Sequence, residues 1–368
     1  MWFNGLMPGK QRPIELTQAK WEYGNIINGE KQIDNLLGSG SFLLGFKRHD
    51  IIDYVCERLK TRVYENAEKM FDLNNDHHLH DIAFELADKL YAMPGSYKSF
   101  FALSGSDANE GAVKLAAAYH KIKGNHHKKK VISFHNSYHG STFLNHNMGA
   151  ALNVDPFYNL EKYHNTVIIE KETNLLEYKW HDVMCVMVET ASWANFFQPD
   201  PTNFWRHLQE ISNQYDVLII LDDIFCGGGR SGQFFGWDKN IVRPNIFTMG
   251  KAVSGGYFPL SITLYDQKVS DVLPRDFLWD HGFTNSFNSA GILSTLKYME
   301  ILEKENILKD IGISRDRAEK IFAECGYEIM GRFGSAYYVK RDEKILLFVI
   351  PLNGTIEYFD ILKETLKR

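Results

Sequence analysis

The sequence predicts an α/β protein: a large domain with a mostly parallel central sheet flanked by helices, followed by a smaller α/β C-terminal domain. Three observations carry that expectation. Short apolar runs of strand length alternate with longer helical patterns through the middle of the chain. The 368 residues suffice for a large core and for two domains. No Pro/Gly/Ser-rich linker, internal repeat or low-complexity stretch interrupts the pattern, so the parts should pack closely.

In chain order, the first clear element is a helix over Asn109–Ile122, with Ala112, Leu115, Ala116 and Tyr119 at helical spacing and a capping box expected from Asp107 and Glu110. Strands follow at Val131–Phe134, Thr166–Ile169 and Val183–Val188, each a nearly continuous apolar run of the kind that a sheet covered on both faces requires. A helix over Asn203–Tyr215 leads to the strand Val217–Leu221, and further strands are expected at Ile246–Met249 and Leu260–Leu264. From Asn288 to Glu305 the apolar positions Ile292, Leu293, Leu296, Met299 and Ile301 repeat with helical period, and the remainder alternates helix and strand as a smaller lobe. In such a sheet, ligands belong at the carboxyl ends of the strands.

Composition narrows the function. The 44% hydrophobic and 24% charged residues are those of an ordinary globular protein, and the net charge of -5 gives no pull toward nucleic acid or an anionic membrane. The four cysteines, Cys56, Cys185, Cys226 and Cys325, form no C-x-x-C pair, which points away from zinc and from a disulfide framework and toward a reducing cytoplasm. Neither a signal peptide nor a membrane span is expected.

Four segments have the residue types for chemistry. The strand Val217–Leu221 runs into Asp222 and Asp223, which are either ligand groups at a strand end or a turn and helix cap. Ser104, Gly105 and Ser106 precede a helix, where free backbone N–H groups suit a phosphate; a plain capped helix is the alternative. The segment Phe134-His135-Asn136-Ser137-Tyr138-His139-Gly140 leaves another strand, and taken alone it reads as packing or surface loop. In Thr248-Met249-Gly250-Lys251-Ala252, a lysine at a strand end among small neighbours can be held in a cavity and tuned for Schiff-base chemistry. Gly227 to Gly232 matches G-x-G-x-x-G by letter, yet it neither follows the strand tightly nor opens a helix, so it is read as a flexible loop near the site.

Read together and in this order, the segments resemble the class III aminotransferases, pyridoxal-phosphate enzymes of fold type I with an aspartate-aminotransferase-like large domain. The resemblance spans roughly residues 29 to 300, strongest in LIILDDIFCGGGRSGQFFGWDKNIVRPNIFTMGKAVSGGYFP and in FALSGSDANEGAVKLA. It implies pyridoxal 5'-phosphate as cofactor, attached through Lys251, with Asp222 paired to the ring nitrogen. It places Gly105 and Ser106 at the phosphate, Tyr138 and Ile224 on the two ring faces, His139 beside the cofactor and Glu189 near the substrate. Thr284, in His281-Gly282-Phe283-Thr284, would reach the phosphate of the neighbouring subunit, which implies a homodimer. The implied reaction moves an amino group from an amine or amino-acid donor to a carbonyl acceptor by a ping-pong route. An aminomutase of the glutamate-1-semialdehyde type and a silent cofactor-binding protein are the alternatives. The implied division is an N-terminal segment 1–40 on the small domain or the dimer partner, a cofactor domain 41–265 and a shortened small domain 266–368.

Three residues depart from the family pattern. Thr190 stands in place of a proline, Phe225 in place of a glutamine that approaches the cofactor's ring hydroxyl, and Leu347 where many members put an arginine for the substrate carboxylate. Amino sugars, amines, ω-amino acids and semialdehydes therefore all stay open as substrates, with Arg332 or Arg341 as substitute cations or plain surface charges. The histidines at 77, 78 and 80 read as a polar loop and His126 to Lys130 as a solvated connection, without metal or nucleic acid.

Overall fold

The computed structural model describes residues 19–27, 29–69, 81–149, 165–171, 175–274, 277, 280–283 and 285–367. Three strands near the start, β1 (Ala19–Trp21), β2 (Gly24–Ile27) and β3 (Glu30–Ile33), form an antiparallel sheet. The central sheet has seven strands: β4 (Lys98–Ala102), β5 (Lys130–Phe134), β6 (Thr166–Ile169), β7 (Val183–Glu189), β8 (Leu218–Asp222), β9 (Ile246–Met249) and β10 (Ser261–Tyr265). Their spatial order is β4-β10-β9-β8-β7-β5-β6. Strands β5 to β9 pair in parallel, and only β10 is reversed, antiparallel to both β9 and β4. The sheet is thus the mostly parallel one expected, with a single reversal where a short connection returns the chain beside β9.

Every residue of β7, β8 and β9 is buried, because both faces of the sheet are covered. The pleat sorts their side chains between two cores. Leu218, Ile220 and Ile246 pack with Ala112, Leu115 and Ala116 of the helix Gly105–Ile122. Ile219, Leu221 and Phe247 join a larger core that runs through to the C-terminal lobe. That lobe is a three-stranded antiparallel sheet, β11 (Glu328–Phe333), β12 (Ala336–Arg341) and β13 (Lys344–Val349), with the helices Ile307–Glu324 and Ile356–Lys367. The N-terminal sheet meets it through Tyr23 on Tyr358, ring centroids 5.1 Å apart. Backbone bonds from Ser335 N to Arg230 O (3.1 Å) and from Leu352 N to Leu43 O (2.9 Å) tie the lobe to the rest.

Two expectations need correction. The helix begins at Gly105, a turn earlier than its apolar pattern: Ser104 is the N-cap in extended conformation, its hydroxyl accepts from Asp107 N (3.2 Å), and the Asp107 carboxylate accepts from Leu103 N (3.0 Å). The capping pair is therefore Ser104 with Asp107, not Asp107 with Glu110. The segment Gly227–Gly232 is packed rather than flexible: Gly227 to Arg230 are buried, and a Cβ on Gly228 would lie 2.8 Å from that of Ala252. The helix Ser289–Lys304 packs on His49–Lys69 and on the turn Lys251–Ser254, with Ser294 Oγ donating to Ser254 O at 2.7 Å. β4 escaped the sequence reading because KSFFA neither alternates nor forms a long apolar run. Among the described residues no helix is long and apolar enough to cross a membrane, and no acidic, His or Cys cluster has the makings of a metal site.

Candidate active site

The parallel strands β7, β8 and β9 end side by side, with Glu189 in register with Asp222 and Asp222 with Thr248. Lys251 follows β9 after one residue, Gly250, in a left-handed backbone conformation (φ 48) that opens a short 3-10 turn. Next to β7, β5 leads into a loop whose Ser137 hydroxyl bonds back to Phe134 O at 2.5 Å, setting Tyr138 and His139 beside the same strand ends. The N-terminus of the helix Gly105–Ile122 closes the far side.

These elements enclose a cavity of about 210 Å³. Gly105, Ser106, Tyr138 and His139 line one part of it, and Glu189, Asp222, Ile224 and Lys251 the other. These eight sequence-derived candidates thus meet in one place; Thr284 lies outside the described residues, as do the histidines at 77, 78 and 80. His281, three residues before Thr284, sits 3.0 Å through Nε2 from the Asp107 carboxylate and so joins that segment to the helix start. Arg332 pairs with Glu319, and Arg341 donates to Leu366 O (2.8 Å), both within the C-terminal lobe and outside the cavity lining.

Asp222 is held from three directions. Its Oδ2 accepts from Asn109 Nδ2 (2.8 Å) and lies 2.9 Å from His139 Nδ1, while Oδ1 accepts from Ile224 N (3.1 Å). Asn109 is fully buried, gives its second amide hydrogen to His139 O (2.8 Å) and receives one from Thr248 Oγ1 (2.7 Å). Sequence reading passed over Asn109, although it stands in the quoted SGSDAN stretch; a polar side chain on the apolar face of a buried helix was the available signal. Also absent from the candidates were Trp193 and Cys226, while Phe225 was noticed only as a departure; all three line the cavity.

Burial sets the proton affinities here. It pulls the Lys251 ammonium below its ordinary range, against the opposing attraction of Asp222. It raises the Glu189 carboxyl to about 7, with Asp222 adding repulsion and the Tyr138 N–H, 3.2 Å away, partly offsetting it. Asp223 faces the other way. It too is raised to about 7 by burial, although it accepts from Thr190 Oγ1 (2.7 Å) and Gly236 N (2.8 Å).

The donor set matches pyridoxal 5'-phosphate. The first-turn amides of the helix have no intrahelical partners and suit a phosphate. The cradle is built for close backbone approach: a Cβ on Gly140 would lie 2.3 Å from Ser106 Oγ, and one on Gly105 would lie 2.8 Å from Ile224 Cδ1. A fixed carboxylate suits a cationic ring nitrogen, a desolvated amine suits an aldehyde, and Ile224 and Tyr138 offer apolar faces to a flat ring.

Comparison with known proteins agrees. The aminotransferase class-III family model matches residues 7–320. Gamma aminobutyrate transaminase 2 of Solanum lycopersicum is 27% identical over 322 residues, covering 80% of this chain and 69% of that protein. Acetylornithine/succinyldiaminopimelate aminotransferase of Buchnera aphidicola subsp. Acyrthosiphon pisum is 29% identical over 310 residues, covering 78% and 71%. The crystal structure of a Bacillus anthracis aminotransferase shares the fold with a TM-score of 0.80 at 21% identity, covering 99% of this chain and 95% of that one. Since the family match spans the central sheet and all three strand ends that meet at the cavity, the chain belongs to the class III aminotransferases, fold type I transaminases that work with pyridoxal 5'-phosphate.

Proposed function

We propose that Lys251 carries the cofactor as a Schiff base and that Asp222 holds its ring nitrogen protonated. The bound cofactor supplies an aldehyde carbon and an electron-withdrawing ring. Burial of Lys251 leaves more of its amine neutral near physiological pH, as an attacking nitrogen requires, and once released its Nζ takes up and returns the proton of the substrate carbon. Gly105 and Ser106 bind the phosphate, Ile224 and Tyr138 cover the two ring faces, and His139 fixes Asp222 from behind. Glu189 sits at the substrate end as a group able to hold a proton near neutral pH. The observation that carries this reading is the convergence of three strand ends and one helix N-terminus on a single cavity.

The active unit in this proposal is a homodimer. A groove of about 1330 Å³ runs past His281, Gly282 and Phe283, and Phe283 and Phe287 are 60% and 50% exposed beside it. A second copy seated there would receive Thr284 at its own phosphate site. The proposed division is 1–40, 41–265 and 266–368, and within the last part the helix Ser289–Lys304 packs on the cofactor domain. Four free thiols, with Cys56 exposed, are consistent with a reducing cytoplasm.

The test is an absorption spectrum of protein reconstituted with pyridoxal 5'-phosphate, beside Lys251→Ala and Asp222→Asn. The wild type should show a visible band that an amine donor converts, Lys251→Ala should lack it, and Asp222→Asn should keep it but convert at least about a hundredfold more slowly. Cofactor bound equally, with the same band, in Lys251→Ala would refute the assignment.

A further inference from the structure

Resting on the assignment of Lys251, a second feature of the same cavity concerns what the substrate carries. The Phe225 ring centroid lies 5.6 Å from Lys251 Nζ. Phe197 stacks on it at 5.7 Å and 21°, and Tyr338 of β12 backs Phe197 at 5.4 Å. Leu347 is the register partner of Tyr338 on β13. An apolar file therefore leads from the C-terminal lobe to the reactive amine. Trp193 adds a second aromatic surface to the lining, edge-on to Tyr138 at 5.8 Å.

Two features mark this wall as built for its place. Phe196 and Phe197 both have left-handed backbones, φ 52 and 54, which bulky residues rarely adopt and which neighbouring structure must enforce. Here Phe197 N bonds to Ser192 O (2.9 Å), and Phe196 packs on Tyr338 at 4.8 Å. Among the described residues, the guanidinium packed on the Phe225 ring has two of its three nitrogens bonded to main-chain oxygens away from the cavity, while Nη1 has no partner. Arg230 is fully buried 4.1 Å behind the Phe225 ring, with Nε donating to Phe225 O (2.7 Å) and Nη2 to Gly40 O (2.6 Å). That cation props the aromatic ring instead of facing the cavity, whose acidic lining groups are Glu189 and Asp222.

We infer that Phe225 and Trp193, with Phe197 supporting the Phe225 ring, form the specificity wall of the substrate site, selecting primary amines with a flat apolar substituent, and the matching aldehydes, over amines that carry a carboxylate. In the half-reaction, the amine carbon gives up a proton and two electrons and exchanges its C–N bond for C=O, with the oxygen from water. The nitrogen and both electrons stay on the former aldehyde carbon of the cofactor, and that carbon takes up a proton.

The test follows the visible band of the cofactor-loaded protein in single-turnover mixing with 2-phenylethylamine, β-alanine or L-alanine. Bleaching by 2-phenylethylamine should be at least about tenfold faster than by either amino acid at equal concentration. Phe197→Leu and Phe225→Leu should weaken its apparent binding about tenfold while the limiting rate changes less than about threefold, the split expected of a binding wall. The wild-type comparison needs no variant to fold. Equal or faster bleaching by an amino acid would overturn the wall and leave Lys251 untouched, and so would variants that bind 2-phenylethylamine as the wild type does. Failure of the Lys251 assignment shows separately, as no band before any amine is added.

Discussion

Asn109 joins the helix whose N-terminus lines the cavity to the Asp222 carboxylate, and its removal has a calculable cost. The side chain is fully buried and makes three hydrogen bonds, to Asp222 Oδ2, to His139 O and from Thr248 Oγ1, all at 2.7 to 2.8 Å. In Asn109→Ala the bond to the charged carboxylate goes, worth about 1.5 to 3 kcal/mol, and the Thr248 hydroxyl is left without its acceptor, worth about 1 to 3 kcal/mol. Water entering the vacated volume offsets part of this, so the net loss should be about 3 to 4 kcal/mol. Thr248→Val breaks only the bond behind the amide and should cost about 1 kcal/mol. Because both changes act on one bond, the double variant should be less destabilised than the sum, with a coupling of about 1 kcal/mol. Urea unfolding of the cofactor-free protein measures all three, and cofactor titration of the same variants should show at least about tenfold weaker retention in Asn109→Ala, each tenfold being about 1.4 kcal/mol. An Asn109→Ala protein within about 1 kcal/mol of wild type, or strict additivity with Thr248→Val, would refute the claim that this network holds Asp222.

Three further outcomes follow from the geometry. Burial raises Glu189 from 4.5 to about 7, so the folded protein holds a proton that the unfolded chain has released; stability is full below about 4.5, falls as pH rises to 7 and levels above it. Glu189→Gln should therefore gain on the wild type by up to about 3 kcal/mol between pH 4.5 and pH 8 in cofactor-free unfolding, and a gain independent of pH would contradict the cause given. Gly140 has φ 121 and a Cβ there would lie 2.3 Å from Ser106 Oγ, so Gly140→Ala should weaken cofactor binding at least about tenfold in a fluorescence titration; unchanged affinity would remove Ser106 from the cradle. Lysine at both Phe283 and Phe287 should yield a monomer in sedimentation while helix content is kept, and an unaltered dimer would place the interface elsewhere.

Sequence reading recovered the elements whose physics is local. Strands β5, β7, β8 and β9 are buried on both faces, so each appears as a mainly apolar run, and the carboxyl ends of β8 and β9 direct attention to Asp222 and Lys251. What the sequence hides is set by pairing and packing. Nothing in Ser261–Tyr265 announces that β10 runs against its neighbours, because direction depends on the short return from β9. Lys98–Ala102 becomes a strand only because β10 offers it an edge. The glycines Gly227 to Gly232 look mobile on paper, yet a Cβ on Gly227 or Gly228 would lie 2.8 Å from a neighbouring atom, and Arg230 in their midst is fully buried. The aromatic wall was invisible for the same reason: Phe197, Phe225 and Tyr338 are separated by long stretches of sequence and meet only in the folded chain.

The adjacent carboxylates Asp222 and Asp223 show how one strand end serves two purposes. Successive residues of an extended chain point to opposite sides. Asp222 accordingly faces Asn109, His139 and the cavity, whereas Asp223 turns to Thr190 and Gly236. There it is wedged between glycines: Cβ atoms on Gly227 and Gly236 would approach its carboxylate to 2.8 and 2.5 Å. By bonding Gly236 N with its side chain and Gly227 N with its main-chain oxygen, it fixes both flanks of the loop that carries Arg230, and Arg230 in turn supports the Phe225 ring beside Lys251. On the proposed assignment, Asp222 would act on the cofactor directly and Asp223 on the inferred substrate wall through the loop. Neither role can be exchanged for the other by swapping neighbours, since a one-residue shift would turn both side chains to the wrong faces of the sheet.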